Sequence, residues 1–347
     1  MPKATFANVI KLAKLKWLFL SKRFTTILFL LDIIANLVII STMKRDIFAI
    51  VGPTASGKSD MALSLATKLN SIILSVDSLS VYKEIDIASA KPSKEELEAI
   101  KHFGIDILYP NQKFDVIKFV DEFTKAKEYA KANNKGLIIV GGSSFYLKVL
   151  TQGISYVPKI SKSVTMQVKE LLKDIKSAFD LLLKIDPSFA KSIKKSDRYR
   201  IQKALELYFQ TNTPPSIYFK QHPPKPIEPN LDIYEIQTTK EELLKRVELR
   251  TTKMLKMGLI DEVAYLEKTY TRAPNSMKAI GIIEVLDFLD GRLSKNELKG
   301  KIVTNTMRLA KRQKTFNKTQ LNIKLSLPYN ELLKELNLAS TKVVQSI

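Results

Sequence analysis

Cysteine is absent from this sequence of 347 residues, which contains two histidines and one tryptophan. The absence of cysteine excludes disulfide bonds, thiolate metal sites and a cysteine nucleophile. Two histidines are also too few to build a histidine metal cage. Because disulfides are typical of oxidising compartments, we expect a cytoplasmic protein.

Acidic residues are outnumbered: 35 Asp and Glu stand against 56 Lys and Arg, and the formal net charge is +21. Clustered cations bind nucleic-acid backbones by releasing counterions, so this balance favours a polyanionic partner. The alternative is a basic surface that merely keeps the protein soluble. The chain is long enough for one large domain with an insertion, or for two domains of ordinary size.

The hydrophobic run at residues 25–40 is too short and too interrupted for a typical transmembrane helix. It spans about 16 residues where about 20 are needed, and it contains Asp32 and Asn36. No small-residue cleavage site of a signal peptide is evident. We interpret residues 1–43 as an extension outside the working fold and expect no stable membrane association. A membrane tether is the alternative.

Residues 52–59 read GPTASGKS, which is a complete GxxxxGK[ST] phosphate loop. The apolar run 47–51 precedes the loop as a predicted strand, and residues 61–66 continue it as a predicted helix. Backbone N–H groups of such a loop wrap an anion at the positive end of the helix. Lys58 is expected to reach the terminal phosphate, and Ser59 to help hold Mg²⁺. The predicted diphosphate-binding residues are Gly52, Pro53, Thr54, Ala55, Ser56, Gly57, Lys58 and Ser59.

Further strand-like runs at 71–77 and 136–142 enclose a stretch, 114–132, with apolar residues at helical spacing. Strands that alternate with helices predict parallel pairing, with the ligand at the carboxyl ends of the strands. The predicted fold class is therefore α/β: a phosphate-loop parallel sheet flanked by helices, with a helical insertion domain.

The insertion is predicted at residues 155–228. It contains a basic amphipathic stretch, 164–183, and a helix with Ser196 as its N-cap, and it ends in the proline-rich 221–227. The predicted core comprises 44–154 and 229–330, and residues 331–347 are predicted to be a C-terminal tail. In the second half of the core we predict a strand near 231–236 and helices around 240–257, 276–290 and 295–317.

Asp77 follows the predicted strand beside the phosphate loop. A carboxylate there either ligates magnesium through water or accepts a proton from a nucleophile that attacks beside the pyrophosphate. An ordinary turn cap is the alternative. Arg246 and Arg250 are four residues apart on a predicted helix, so they can reach a phosphate cluster together, unless they belong to a solvated, ion-paired face.

The segment 299–318 carries seven cations and no acidic residue. On a helix, several of these cations share a face, and Phe316 is available for base stacking, so we predict a nucleic-acid-binding surface. Arg198, Arg200 and Lys203 form a second basic cluster on the insertion. Two such clusters beside a phosphate site indicate a cleft that holds a folded RNA.

Eight segments occur in a characteristic order from about residue 46 to 318. They are GPTASGKS at 52–59, SVDSLSVYKEIDIASAKPS at 75–93, IDIL at 105–108, VGGSSFYLK at 140–148, DRYRIQKALELY at 197–208, MLKMGLIDEV at 254–263, KAIGIIEVL at 278–286 and AKRQKTF at 310–316. Together they resemble the tRNA dimethylallyltransferases, the tRNA isopentenyltransferase family of bacteria. The resemblance implies transfer of a dimethylallyl group from dimethylallyl diphosphate to N6 of the adenosine 3′ of the anticodon, with Mg²⁺-assisted release of diphosphate.

The resemblance also implies roles for individual residues. Asp77 matches the general base, and Thr54 and Arg250 match further diphosphate contacts, although the choice of Arg250 over Arg246 stays open. The adenine must be extruded into a channel between core and insertion. We expect a monomer. The implied tRNA contacts are Asp77, Ser78, Leu79, Ser80, Ser143, Tyr199, Arg200, Ile201, Gln202, Lys203, Met277, Lys278, Gly281, Lys311, Arg312, Gln313, Lys314, Thr315, Phe316 and Lys318.

Several positions depart from the family's pattern. Glu84 and Ala88 stand where glycine is common, Ser143 replaces threonine, and Phe316 with Lys318 replaces a tryptophan-and-arginine ending.

Three other functions are consistent with part of the sequence features described above. They are a small-molecule kinase that uses the loop for ATP, an isopentenyltransferase acting on free adenine nucleotides, and a membrane-tethered nucleic-acid binder.

Overall fold

The sheet is the framework of the molecule. The computed structural model describes residues 47–344, and the predicted extension at 1–43 lies outside them. Within this range a six-stranded sheet has the order β3-β2-β4-β1-β5-β6, and its strands pair in parallel. The strands are β1 (Ile47–Val51), β2 (Ser71–Ser75), β3 (His102–Phe103), β4 (Gly136–Val140), β5 (Asp232–Gln237) and β6 (Leu325–Pro328).

The central strands are apolar because helices cover both faces of the sheet. In β1 and β4 every residue after the first is buried. The two strands pair with Ile47 opposite Leu137 and Ile50 opposite Val140. This register brings the loops that follow them, which begin at Gly52 and Gly141, to the same edge of the sheet. The predicted α/β class is confirmed.

Helices connect the strands. They are α1 (Lys58–Lys68), α2 (Lys94–Ala99), α3 (Val116–Ala132), α4 (Ser144–Gln152), α5 (Lys162–Leu171), α6 (Ile175–Ile185), α7 (Pro187–Lys191), α8 (Arg198–Thr211), α9 (Pro215–Gln221), α10 (Lys240–Lys256), α11 (Leu259–Tyr270), α12 (Ile282–Leu289), α13 (Lys295–Gln320) and α14 (Tyr329–Val344), with a 3₁₀ turn at Asn275–Lys278. Between residues 47 and 344, no helix is both long and apolar enough to cross a membrane.

The hydrophobic core on one side of the sheet includes the C-terminal helix. Leu332 and Leu336 of α14 are buried in one cluster with Phe48 of β1 and Met61 of α1. Full burial of a leucine contributes about 2–3 kcal/mol, so this helix stabilises the sheet. The prediction of a tail at 331–347 is therefore wrong for the described part of that segment, since its leucines recur at helical spacing and face the core.

A second hydrophobic cluster lies beneath the loop that follows β2. Val81 and Ile85 of this loop pack with Leu259 of α11, Ile282 of α12 and Ile302 of α13. The helix predicted at 276–290 is interrupted here. The 3₁₀ turn ends at Lys278, and Gly281 adopts φ +95° before α12 begins, a conformation that glycine tolerates and that reverses the chain.

The chain divides into two compact units, one of which ends at Ser144 and resumes at Asp232, while the other is Phe145–Leu231. The second unit is helical, and its core contains Val168, Phe179, Leu182 and Leu205. The stretch predicted as one amphipathic segment, 164–183, forms parts of α5 and α6, because Asp174 caps a new helix by accepting from Lys176 N–H and Ser177 N–H.

Candidate active site

The phosphate loop folds as a tight turn between β1 and α1. Ala55 and Gly57 adopt φ of +63° and +92°, and Gly57 is the N-cap of α1. A Cβ atom on Gly52 would lie 2.9 Å from Ser56 Oγ and 3.2 Å from Ile236 O. Side chains larger than hydrogen are therefore excluded at Gly52, and the loop can bring its backbone N–H groups close to an anion.

Lys58 is buried at the start of α1, where its Nζ donates a hydrogen bond to Pro53 O at 2.8 Å. Burial, and next the positive charge of Arg250, lower the pKa of Lys58 to about 8, although Asp77 acts to raise it. The ammonium group is therefore poorly compensated within the protein. A bound polyanion would supply the missing negative charge.

Asp77 lies two residues beyond β2, and its own backbone turn holds the carboxylate. Its Oδ1 atom accepts hydrogen bonds from Leu79 N–H at 2.8 Å and Ser80 N–H at 3.3 Å. The Ser80 hydroxyl in turn lies 3.0 Å from the hydroxyl of Ser75. The carboxylate thus caps a turn and also lines a cavity with Lys58.

The structure distinguishes the two arginines of α10. Arg250 Nη1 donates to Thr54 Oγ1 at 3.4 Å, and Arg250 lines the cavity, where burial lowers its pKa and Asp77 opposes this effect. Arg246 Nη1 instead donates to Ser56 O at 2.9 Å and pairs with Glu242 at 2.7 Å. Arg250 therefore faces the inside of the phosphate loop, while Arg246 supports the loop through its backbone.

Two adjoining cavities meet at these residues. The first, of about 120 Å³, is lined by Lys58, Ser59 and His102 among others, and the second, of about 310 Å³, combines an apolar wall with polar residues that include Arg250 and Lys278. The side chains of that wall are Leu79, Val247, Met254, Ile280, Ile302 and Leu309. Residues that line both cavities are Thr54, Asp77, Ser89, Gly142, Arg250, Leu309 and Gln313. Asp77 thus lines both the cationic compartment around Lys58 and the second cavity with its apolar wall.

The oxygen atoms present fit a magnesium ion that is shared with phosphates, and not a site built from protein ligands alone. Ser59 is exposed and lines the first cavity together with Asp77. Throughout the described chain, no group of three or more His, Asp or Glu residues is arranged to hold a metal ion. Magnesium commonly keeps several waters and takes one or two protein oxygens plus substrate phosphates, which this pair can provide.

The implied RNA contacts of the core occupy different environments. Ser78, Lys278, Lys311, Arg312, Thr315 and Lys318 are exposed, and Ser143 and Phe316 are half-buried. Met277 is 1% exposed and belongs to the hydrophobic core, so its side chain is a packing residue and not an RNA contact. Gly281 is buried too, and its N–H donates to Glu284 Oε2 at 2.6 Å. Lys314 is exposed, and its ammonium donates to Thr238 O at 2.6 Å.

The helical unit presents part of α8 to solvent. Tyr199 is 69% exposed, and Lys203 Nζ lies 6.0 Å from the centre of its ring. Arg200 is exposed and pairs with Asp197 at 3.0 Å. Ile201 is 0% exposed, so the implied RNA contact at this side chain is also wrong, because it packs in the core of the unit.

Glu262 is a structural residue of the site that the sequence did not single out. Its carboxylate accepts hydrogen bonds from the N–H groups of Asp86, Ile87 and Ala88, at 2.9, 2.7 and 2.9 Å. These three amides belong to the loop that continues from Asp77, so α11 fixes the far end of that loop. The signal available in the sequence was the position of Glu262 within GLIDEV, which the resemblance included without a role.

The fold and the glycine loop define an α/β protein with a phosphate-binding loop. The family model described as "IPP transferase" matches residues 80–320. The tRNA dimethylallyltransferase of Nautilia profundicola is 55% identical over 286 residues, covering 82% of this chain and 96% of that protein. The enzyme of the same name from Sulfurovum sp. is 53% identical over 82% of this chain and 95% of its own length.

Solved structures give the same result. The tRNA isopentenylpyrophosphate transferase of Bacillus halodurans is 28% identical, with a TM-score of 0.62 over 87% of this chain and 98% of its own. The corresponding transferase of Staphylococcus epidermidis is 32% identical, with a TM-score of 0.59. The chain belongs to the tRNA dimethylallyltransferase family, also called the tRNA isopentenyltransferases, and is an enzyme of this type.

Proposed function

We propose that this enzyme transfers the dimethylallyl group of dimethylallyl diphosphate to N6 of the adenosine 3′ of the tRNA anticodon and releases diphosphate. The observation that supports this most strongly is the convergence of Lys58, Arg250, Thr54 and Asp77 on two adjoining cavities. A kinase and a transferase for free adenine nucleotides, the other functions considered, are not favoured by the family. The proposed location of this reaction is the cytoplasm.

The cationic compartment is the proposed site of the diphosphate. The charge that develops on the leaving oxygen as the C–O bond breaks is stabilised by backbone N–H groups at the start of α1, the Lys58 ammonium, the Arg250 guanidinium and the Thr54 hydroxyl. Ser59 and Asp77 would hold a magnesium ion through oxygen and water, and this ion would neutralise charge on the departing diphosphate. Lys58 is buried and Arg250 is half-buried, so water screens the charge of Lys58 less than that of Arg250.

Asp77 is the proposed general base. The N6 amine attacks the allylic carbon, a new C–N bond forms, and the carboxylate takes the amine proton and later passes it to water. Two backbone N–H groups hold Asp77 Oδ1, which fixes the carboxylate at the cavity that Asp77 lines. Because an exocyclic amine is a weak nucleophile, orientation must supply much of the rate.

The apolar wall of the second cavity is the proposed site of the dimethylallyl group. Its wall of Leu79, Val247, Met254, Ile280 and Ile302 matches a branched five-carbon chain, and burial of apolar area there contributes about 25 cal/mol per Å². Apolar side chains packed against the allylic chain would leave less room there for water, which could hydrolyse the reactive donor.

The exposed cations of α13 and α8 are the proposed tRNA contacts. Lys311 and Arg312 bind phosphates, while the exposed Tyr199 offers a face on which an unpaired base stacks. An adenosine in a loop is less costly to extrude than one in a duplex, which fits an acceptor beside the anticodon.

The test is transfer of radiolabelled dimethylallyl diphosphate to unmodified tRNA by a protein that begins at Met43, with ATP and AMP present as competitors. We expect label on tRNA and no effect of ATP. Label on AMP alone would instead indicate a free-nucleotide transferase, and ATP consumption without transfer would indicate a kinase.

A further inference from the structure

Gln313 occupies a different place from its neighbours on α13. The flanking residues Lys311 and Arg312 are exposed, as expected for RNA contacts, whereas Gln313 is half-buried and lines both cavities of the site. The sequence resemblance grouped all three as tRNA contacts. The side chain of Gln313 instead points toward the proposed donor site.

The carboxamide of Gln313 joins two loops of the sheet edge. Its Oε1 accepts a hydrogen bond from Thr54 N–H at 2.8 Å, and its Nε2 donates to Gly142 O at 3.0 Å. Thr54 belongs to the loop after β1, and Gly142 belongs to the loop after the adjacent strand β4. A Cβ atom on Gly142 would lie 2.5 Å from Nε2 of Gln313, so a glycine is needed for this close approach.

The loop after β4 is in turn fixed to the segment that carries Asp77. Ser143 N–H donates to Val76 O at 3.0 Å. At Gly141 the backbones are so close that a Cβ atom would lie 2.6 Å from the carbonyl carbon of Val76. Val76 immediately precedes Asp77. A continuous series of contacts therefore runs from the segment of the proposed base, through Gln313, to the loop of the proposed donor site.

We propose that Gln313 is a positioning residue for the transfer reaction, which holds the diphosphate loop at Thr54 in register with the Asp77 segment and connects both to the RNA-facing helix α13. This inference rests on the proposed function. Thr54 also accepts a hydrogen bond from Arg250, so displacement of Thr54 alters a second proposed diphosphate contact. The role requires a side chain that accepts at one atom and donates at another.

Substitutions can separate these requirements. Gln313→Glu keeps an acceptor for Thr54 N–H, but it cannot donate to Gly142 O and it places negative charge beside Asp77 and the incoming diphosphate. Gln313→Met has a similar volume and lacks both hydrogen bonds, so it remains informative if Gln313→Ala fails to fold. Gln320→Ala is the matched control, since Gln320 is the last residue of α13 and lines neither cavity.

The experiment compares these variants with Arg312→Ala in three measurements. They are calorimetric binding of inorganic diphosphate with Mg²⁺, filter binding of tRNA without donor, and steady-state transfer kinetics. For Gln313→Met we expect tRNA affinity within about twofold of wild type and kcat/KM for the donor about tenfold to a hundredfold lower, as for a misplaced reacting group. Gln313→Glu should also weaken diphosphate binding. Arg312→Ala should instead weaken tRNA binding and leave the KM for the donor unchanged.

Two results would overturn the proposal. If Gln313→Met weakened tRNA binding as Arg312→Ala does and left donor kinetics unchanged, Gln313 would be an RNA contact. If it matched Gln320→Ala in every measurement, its two hydrogen bonds would have no role in positioning. Should the wild-type protein transfer nothing to tRNA, the proposed function would fail, while diphosphate binding by Gln313→Glu would still test the link between α13 and the loop.

Discussion

Replacing Lys58 with methionine should stabilise the fold while removing diphosphate binding. The pKa of Lys58 is lowered from 10.5 to about 8, chiefly by burial. One pKa unit corresponds to about 1.4 kcal/mol, so keeping this lysine charged in the folded protein costs about 3 kcal/mol. Methionine avoids that cost but loses the hydrogen bond to Pro53 O, worth about 1 kcal/mol. The expected net gain in unfolding free energy at pH 7 is about 2 kcal/mol.

The pH dependence of that gain identifies its cause. Between pH 8 and 10.5 the unfolded chain binds a proton at Lys58 that the folded chain has released, so wild-type stability rises with pH relative to Lys58→Met. The advantage of the variant should therefore be full below pH 8 and fade toward pH 10.5. The assay is urea unfolding of both proteins at several pH values. If the variant were less stable at pH 7, or if the difference in stability did not depend on pH, burial of the Lys58 charge would not be its cause.

Three further changes test other parts of the site. Asp77→Asn should lower kcat by about 10²–10⁴-fold and leave tRNA binding unchanged, because it removes the base but keeps the shape of the side chain. If diphosphate binding were lost as well, Asp77 would be mainly a metal ligand. Lys311→Ala with Arg312→Ala should reduce the salt slope of tRNA binding by about 2; an unchanged slope would remove α13 from the interface. Glu262→Ala should lower the free energy of unfolding by about 2–3 kcal/mol, because three loop N–H groups lose their acceptor. Urea unfolding measures this loss. A loss no larger than that of the exposed control Asp261→Ala would contradict the prediction.

The sheet and the loop were predictable because their signals are local. The run Ile47–Val51, the glycine loop and the helix at Lys58–Lys68 follow each other directly, and their apolar pattern needs no distant partner. By contrast, β6 (Leu325–Pro328) forms only by pairing with β5, far away in sequence. The N-cap of α8 is Asp197 and not the predicted Ser196, since the Asp197 carboxylate accepts from Arg200 N–H at 3.0 Å.

Side-chain direction was the part of the site that sequence could not supply. A basic run on a helix predicts a charged surface, but the hydrogen bonds of Gln313 and Lys314 depend on loops that pack against α13 from elsewhere in the chain. Buried apolar residues within motifs, such as Met277 and Ile201, cannot be told from contact residues by motif alone.

The presence of Glu84 at a position where the family commonly has glycine has a structural explanation. Glu84 adopts φ +64°, a conformation that favours glycine, which accounts for the glycine common at this position in the family. Here the carboxylate is held by the hydroxyls of Tyr270 at 2.8 Å and Tyr265 at 3.3 Å. These hydrogen bonds offset part of the backbone strain, so the substitution is tolerated next to the site.

The proposed reaction of this chain is the alkylation of N6 of one adenosine in tRNA. Its most direct test is nucleoside mass spectrometry of unmodified tRNA after incubation with the enzyme, Mg²⁺ and dimethylallyl diphosphate, alongside tRNA in which the adenosine 3′ of the anticodon is replaced by guanosine. We predict N6-dimethylallyladenosine in the first tRNA and none in the second. If the first tRNA stayed unmodified, the proposed reaction would be wrong. If both tRNAs were modified equally, the proposed specificity for this adenosine would be wrong.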